Sequence, residues 1–457
     1  MDLFRKKAIQ SHDAVTSHLA KCLTALDLTL LGIGAVIGAG IFVITGIVAA
    51  TQTGPAIVLS YVVAGLACVF SALSYAELAA SVGGCGSAYG YAYAGFGELL
   101  AWIVGWDLLL EYTISVSAVS VGWSGYFNDF LKALHVNINI EWLHGPGSGG
   151  FLNVLSLSIV FSLMMLLIIG VKSSVRVNAL MVGIKLSVIF VFFVIASTHI
   201  NPTNWTPFMP FGWTGVMHGA SLIFFAYVGF DAVSTAAEET INPQRNLPLG
   251  IISSLAICTL IYILVSGALT GAIPYAHLNV SSPISFALLE MGYHFASALI
   301  GVGAIAGLTT VMLVMFYGQT RVFLAMARDG LMPHYFAHVS EVTKTPVRII
   351  VISGIIMATG GAFLSINELA ELVNIGTLFA FIIVCGGVIV LRKTEKDMPR
   401  PFKTPFMPWV PLLGIISSLY LIMHLPLVTI IRFVVWMALG LVVYFTFSRY
   451  NSHLRRI

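Results

Sequence analysis

A chain of 457 residues that is 58% hydrophobic and only 9% charged, with a mean hydropathy of +0.96, does not have the composition of a soluble domain. It reads as a polytopic membrane protein of about twelve helical spans, because lipid cannot satisfy unpaired peptide groups. The formal charge of +3 follows from where the basic residues sit between spans, so it points to no nucleic-acid partner.

The first 25 residues are polar and carry Arg5, Lys6, Lys7 and Lys21, without the apolar core and small-residue cleavage site of a signal peptide. Apolar runs then predict spans near 26–50, 55–81, 96–127, 152–170, 178–198 and 215–237. Six more follow near 249–272, 285–325, 347–364, 368–391, 409–428 and 430–448. With the N-terminus inside, all of the 22 Lys and Arg except Lys132, Arg432 and Lys185 fall on the cytoplasmic side. The positive-inside rule thus predicts cytoplasmic termini in a cell-membrane protein. The bilayer itself is the expected partner, with a specific lipid or sterol left open.

The first span contains Gly32-Ile33-Gly34 and Gly38-Ala39-Gly40-Ile41-Phe42, four glycines in nine residues. Glycine weakens a helix, and an interrupted membrane helix frees N–H and C=O groups for a ligand. Close helix packing is the alternative explanation. The sixth span carries its own interruption, Phe225-Ala226-Tyr227-Val228-Gly229-Phe230-Asp231. Spans one and six begin two five-span halves of opposite orientation, and the third span of each half is unusually long. Packing alone does not account for that match. It predicts an inverted repeat with a central site.

The restarted half of helix one would point free N–H groups at an anion, around Val36, Ile37, Gly38, Ala39 and Gly40. Helix six would offer carbonyls around Phe225, Ala226 and Val228 to an ammonium group. A carboxylate receptor beside an ammonium receptor describes an α-amino acid zwitterion, and the substrate expected is an L-amino acid.

Within the spans, Lys185 lies roughly 10 Å deep by helical rise. An ammonium at such depth costs on the order of 3 kcal/mol, so snorkelling explains it poorly. Glu111 and Asp107 share a face of span three, as structural glue or, for Glu111, as a proton or substrate contact. Asp231 reads as a cap or brace, and Glu238 and Glu239 as an inner gate. Met312 and Met315 share a face of span eight, where Met315 would limit the pocket or simply fill the core. Apart from Glu111 no carboxylate stands ready for a guanidinium, which favours small neutral substrates such as alanine.

These motifs resemble the amino acid–polyamine–organocation (APC) superfamily, and within it bacterial homologues of the cationic amino acid transporters. Glu238-Glu239-Thr240-Ile241-Asn242-Pro243 and Gly318-Gln319-Thr320-Arg321 with Met326-Ala327-Arg328-Asp329-Gly330 extend the likeness along the chain. The resemblance implies a 5+5 inverted repeat (LeuT-like) plus two C-terminal helices. The expected division is 1–25 cytoplasmic, 26–198 and 215–391 the two repeats, 409–448 the added helices and 449–457 a cytoplasmic end. It also implies alternating access, with Lys185 where sodium-coupled relatives hold an ion between helices one, five and eight, and so as the candidate carrier of a coupled proton. A matching glutamate occurs in cationic transporters, which places Glu111 among the substrate-binding candidates.

The function expected is a proton-coupled secondary active amino acid transporter. A cationic amino acid transporter or an exchanger is the alternative. No catalytic or metal-binding pattern stands in the spans, so neither an enzyme nor a cofactor is expected. Cys22, Cys68, Cys85, Cys258 and Cys385 avoid the outer loops. Relatives that disulfide-link to a heavy subunit carry a cysteine between spans three and four, which this chain lacks, so the resemblance implies no such partner.

Overall fold

The computed structural model describes residues 5–6, 23–82, 88–133, 135–136, 138–146, 149–169, 175–341, 343 and 345–453. Helix α1 (Ala25–Val36) opens on a capping box, in which Asp27 N–H donates to Thr24 Oγ1 and Thr24 N–H to the Asp27 carboxylate. After a break the chain resumes as Gly40–Ile44, α2 (Thr45–Val48) and Ala49–Thr53. Then come α3 (Ile57–Ser81), α4 (Ala88–Gly95), α5 (Glu98–Ala133), α6 (Val154–Ile169) and α7 (Val175–Thr198). The second half contains α8 (Gly212–Ile223), the 3-10 stretches Phe224–Tyr227 and Phe230–Glu239, α9 (Pro243–Ala272), α10 (Pro283–Glu290) and α11 (His294–Arg328). It continues with α12 (Val347–Phe363), α13 (Ile366–Thr394), α14 (Trp409–Met423), α15 (Leu427–Val443) and α16 (Arg449–Asn451).

Among the described residues eight helical runs are long and apolar enough to cross a membrane, and α1, α6, α12 and α14 are shorter apolar helices. The expected all-helical membrane architecture is present. Span eight differs from its predicted limits. The run read as 285–325 is two helices, because Gly292 adopts a left-handed φ of 86° and separates α10 from α11.

The long helices α5 (36 residues) and α11 (35 residues) pack against each other and form the scaffold behind the broken helices. Helix α15 is fastened to α5 by indoles. Trp102 Nε1 donates to Gly440 O at 2.9 Å, Trp106 Nε1 to Trp436 O at 2.9 Å, and Trp436 Nε1 to Trp106 O at 3.2 Å. A buried Glu77 on α3 receives both Arg392 Nε (2.8 Å) and Arg392 Nη2 (2.6 Å), tying α3 to the end of α13. The two interrupted helices are also joined at one end, where Ile241 N–H donates to Leu23 O at 2.9 Å.

Among the described cysteines, Cys68, Cys258 and Cys385 are buried free thiols. Cys22 and Cys85 lie outside the described residues.

Candidate substrate site between two broken helices

Helix α1 stops at Ile37, whose ψ of 99° is extended, and Phe42 N–H donates to Gly38 O as the helix resumes. The N–H groups of Gly38, Ala39 and Gly40 precede that first bond, so the new helix has no carbonyl of its own for them. The restart at Gly40 leaves that residue against the second break. A β-carbon on Gly40 would fall 2.4 Å from Ala226 Cα, so only glycine allows this approach. The glycines of the run divide between close packing and the interruption. Gly32 packs on Ser254 of α9, where a β-carbon would meet Ser254 Oγ at 2.4 Å, while Gly38 and Gly40 border the interruption.

Helix six breaks after the turn Phe224–Tyr227. Val228 is extended (φ −58°, ψ 132°) and Gly229 is left-handed at φ 113° before the chain resumes at Phe230. Asp231 lies in the first turn of that restarted segment, where an acid complements the free N–H groups.

The two breaks face one cavity. It is lined by Ala35, Val36, Gly38, Ala39 and Gly40 from helix one and by Phe225 and Val228 from helix six. Ser115 and Val119 of α5 and Val311 and Met315 of α11 form the opposite wall. Of the residues expected from sequence, Ile37, Ala226 and Glu111 do not line it. Ile37 turns its carbonyl to Lys185, and Ala226 turns its carbonyl to Tyr262. Ser115, Val119, Val311 and Ala35 were not anticipated.

Lys185 is fully buried on α7. Its ammonium donates to Gly34 O at 2.9 Å and Ile37 O at 3.1 Å, the carbonyls that end α1. Gly307 of α11 makes room for its stem, since a β-carbon there would lie 2.8 Å from Lys185 Cε. The side chain thus joins helices one, five and eight, at the negative end of the α1 dipole.

Tyr262 of α9 was missed by the sequence reading. Its buried hydroxyl sits 2.9 Å from Val36 O and 2.8 Å from Ala226 O, touching both interruptions at once. A hydroxyl has one proton, so it can serve only one of these carbonyls at a time.

Glu111, Asp107 and Asp231 form an acidic group to one side of the cavity, near enough to interact electrostatically. Both carboxylate oxygens of Asp107 lack a hydrogen-bond partner, the Thr377 hydroxyl stands beside the Glu111 carboxylate, and Asp231 Oδ2 accepts from Tyr112 at 3.4 Å. The side chains of Glu238 and Glu239 are outside the described residues.

A match to the amino acid permease family model spans residues 23–447. The chain belongs to that family. Similar proteins include the branched-chain amino acid permease BcaP of Bacillus subtilis (strain 168), 50% identical with 99% of each chain covered. A methylthioribose transporter from the same organism is 48% identical, again over 99% of each. The vacuolar cationic amino acid transporter 4 of Arabidopsis thaliana is 37% identical over 86% of this chain and 68% of its own. This multi-pass protein is therefore an amino acid transporter of the APC superfamily and not an enzyme.

Proposed function

We propose that the protein is a proton-coupled L-amino acid symporter of the cell membrane, favouring small neutral substrates, with alanine first. The observation that carries the coupling is the Lys185 ammonium on the Gly34 and Ile37 carbonyls. Protonated, Lys185 holds the end of α1 by two charge-assisted bonds. Deprotonated, it loses the charge and one donor, and that end is free to swing away from α7 and α11. Proton and substrate then act on the same break from opposite sides.

The substrate carboxylate takes the N–H groups of Gly38, Ala39 and Gly40. The ammonium takes carbonyls of the helix-six turn, around Phe225 and Val228, which line the cavity, while the Ala226 carbonyl stays on Tyr262. Alternating access follows from movement of both broken helices, joined at Leu23 and Ile241, against the α5–α11 scaffold. Residues 26–198 and 215–391 act as two inverted halves, and 409–448 brace the scaffold. Both termini are cytoplasmic. Asp231 braces the restarted segment, and Glu238 and Glu239 belong to the inner gate.

A branched-chain substrate is the second reading. Val119, Val311 and Met315 give an apolar wall, and the first relative above is named for that class. A cationic substrate is disfavoured because Glu111 stands off the cavity. Uptake of labelled alanine, valine and arginine into proteoliposomes, with and without an inward proton gradient, separates these readings. Gradient-driven alanine accumulation supports the proposal, while arginine accumulation or gradient-independent exchange overturns it.

A further inference from the structure

Ser115 is 2% exposed, lines the cavity, and its hydroxyl has no hydrogen-bond partner within the protein. Its neighbours on α5 behave differently. Ser117 donates to Met357 O at 2.8 Å, Ser120 to Ser117 O at 2.7 Å and Ser124 to Val121 O at 2.8 Å. A buried hydroxyl ordinarily finds such a carbonyl, because leaving it unpaired forfeits the bond it had in water. Ser115 instead keeps both a donor and acceptor capacity facing the substrate space.

The position of Ser115 indicates what it would meet. Backbone groups of the two breaks address the carboxylate and ammonium that all amino acids share. The α5–α11 wall remains for the side chain, and Val119, Val311 and Met315 there are apolar. Ser115 supplies that wall with a hydroxyl.

We propose that Ser115 is a specificity-determining residue that hydrogen-bonds the side-chain hydroxyl of a β-hydroxy amino acid, so that serine and threonine belong to the substrate range. This rests on the amino acid transport reading above. Threonine and valine are nearly equal in volume and differ by a hydroxyl in place of a methyl. Valine would leave Ser115 unpaired beside a methyl group, whereas threonine satisfies it. One neutral hydrogen bond corresponds to about a tenfold preference.

The test uses the intact protein in proteoliposomes. Labelled alanine reports that transport occurs, and unlabelled threonine and valine compete with it. The expected result is that threonine competes about tenfold more effectively than valine. In Ser115→Ala the threonine-to-valine ratio of kcat/KM falls by about the same factor, and Ser115→Thr, which keeps a hydroxyl, retains the preference. Equal competition by threonine and valine in the unaltered protein overturns the proposal while leaving alanine transport standing, and needs no variant to fold. An unchanged ratio in Ser115→Ala also overturns it. Absence of uptake of all three amino acids would sink the transport reading itself, and this proposal with it.

Discussion

The Lys185 ammonium donates to the carbonyl of Gly34 at 2.9 Å, which joins the fifth span to the last turn of the first just before that helix breaks. A charged donor with no aqueous exposure is thereby held by main-chain dipoles, which no side-chain mutation on helix one can remove. Replacing it acts on the coupling more directly than on the cavity, because Lys185 is not among the cavity-lining residues. In Lys185→Ala, accumulation of alanine against its gradient should be lost. Uptake with and without an imposed proton gradient checks this, and undiminished concentrative uptake would remove Lys185 from the mechanism.

Tyr262 makes a second, independent prediction. Tyr262→Phe keeps the ring, which packs tilted against Tyr61 and edge-on against Tyr227, and deletes only the hydroxyl shared by Val36 O and Ala226 O. Leaving a buried carbonyl unsatisfied costs about 1–3 kcal/mol. The expected outcome is a fall of roughly tenfold in kcat/KM for alanine with the fold retained, read by uptake kinetics beside circular dichroism. Unchanged kinetics would mean the two breaks are positioned without it.

Gly40 is where the breaks touch. Gly40→Ala places a methyl inside the contact with Ala226, and the atoms it meets belong largely to the backbone, which cannot rotate aside. Transport should be abolished. Gly183→Ala is the matched control, since a β-carbon there meets nothing within 4 Å. A Gly40→Ala protein with ordinary uptake would contradict the close approach of helices one and six.

Glu77 predicts a change in stability. Its carboxylate is buried, takes two bonds from Arg392 and accepts from Thr404 N–H at 2.7 Å. Glu77→Ala leaves Arg392 with the Thr404 carbonyl alone and removes the carboxylate beside Arg400, a loss of roughly 3 kcal/mol for a broken buried pair. Thermal unfolding in detergent should show a clearly lowered midpoint. An unchanged midpoint would show that water replaces the carboxylate at no cost.

Much of this arrangement was legible in the sequence because it depends on residue types with few other uses. Glycines at 32, 34, 38 and 40 mark an interrupted helix, and the Val228-Gly229 pair marks its counterpart, since only glycine readily adopts φ 113°. Lys185 was legible because an ammonium deep in a span needs partners. Those partners were not, being carbonyls that any sequence would supply.

Tyr262 escaped for the same reason. In an apolar run it reads as core, and its acceptors lie 226 and 36 residues away along the chain. Ser115 could not be told from Ser117, Ser120 or Ser124 without knowing which hydroxyls find carbonyls. The joined reading of 285–325 failed because Met291-Gly292-Tyr293 is too short and apolar to look like a loop. Gly292 was the available signal. Glu111 was placed among the substrate candidates by the resemblance to cationic transporters, whereas here it stands beside Asp107 and Asp231 and does not line the cavity.

The central claim is that a proton enters with the amino acid, and it is tested most directly by following internal pH in proteoliposomes when alanine is added outside. The account predicts prompt internal acidification that requires alanine and is absent in Lys185→Ala. Alanine uptake at full rate with no change in internal pH would contradict it.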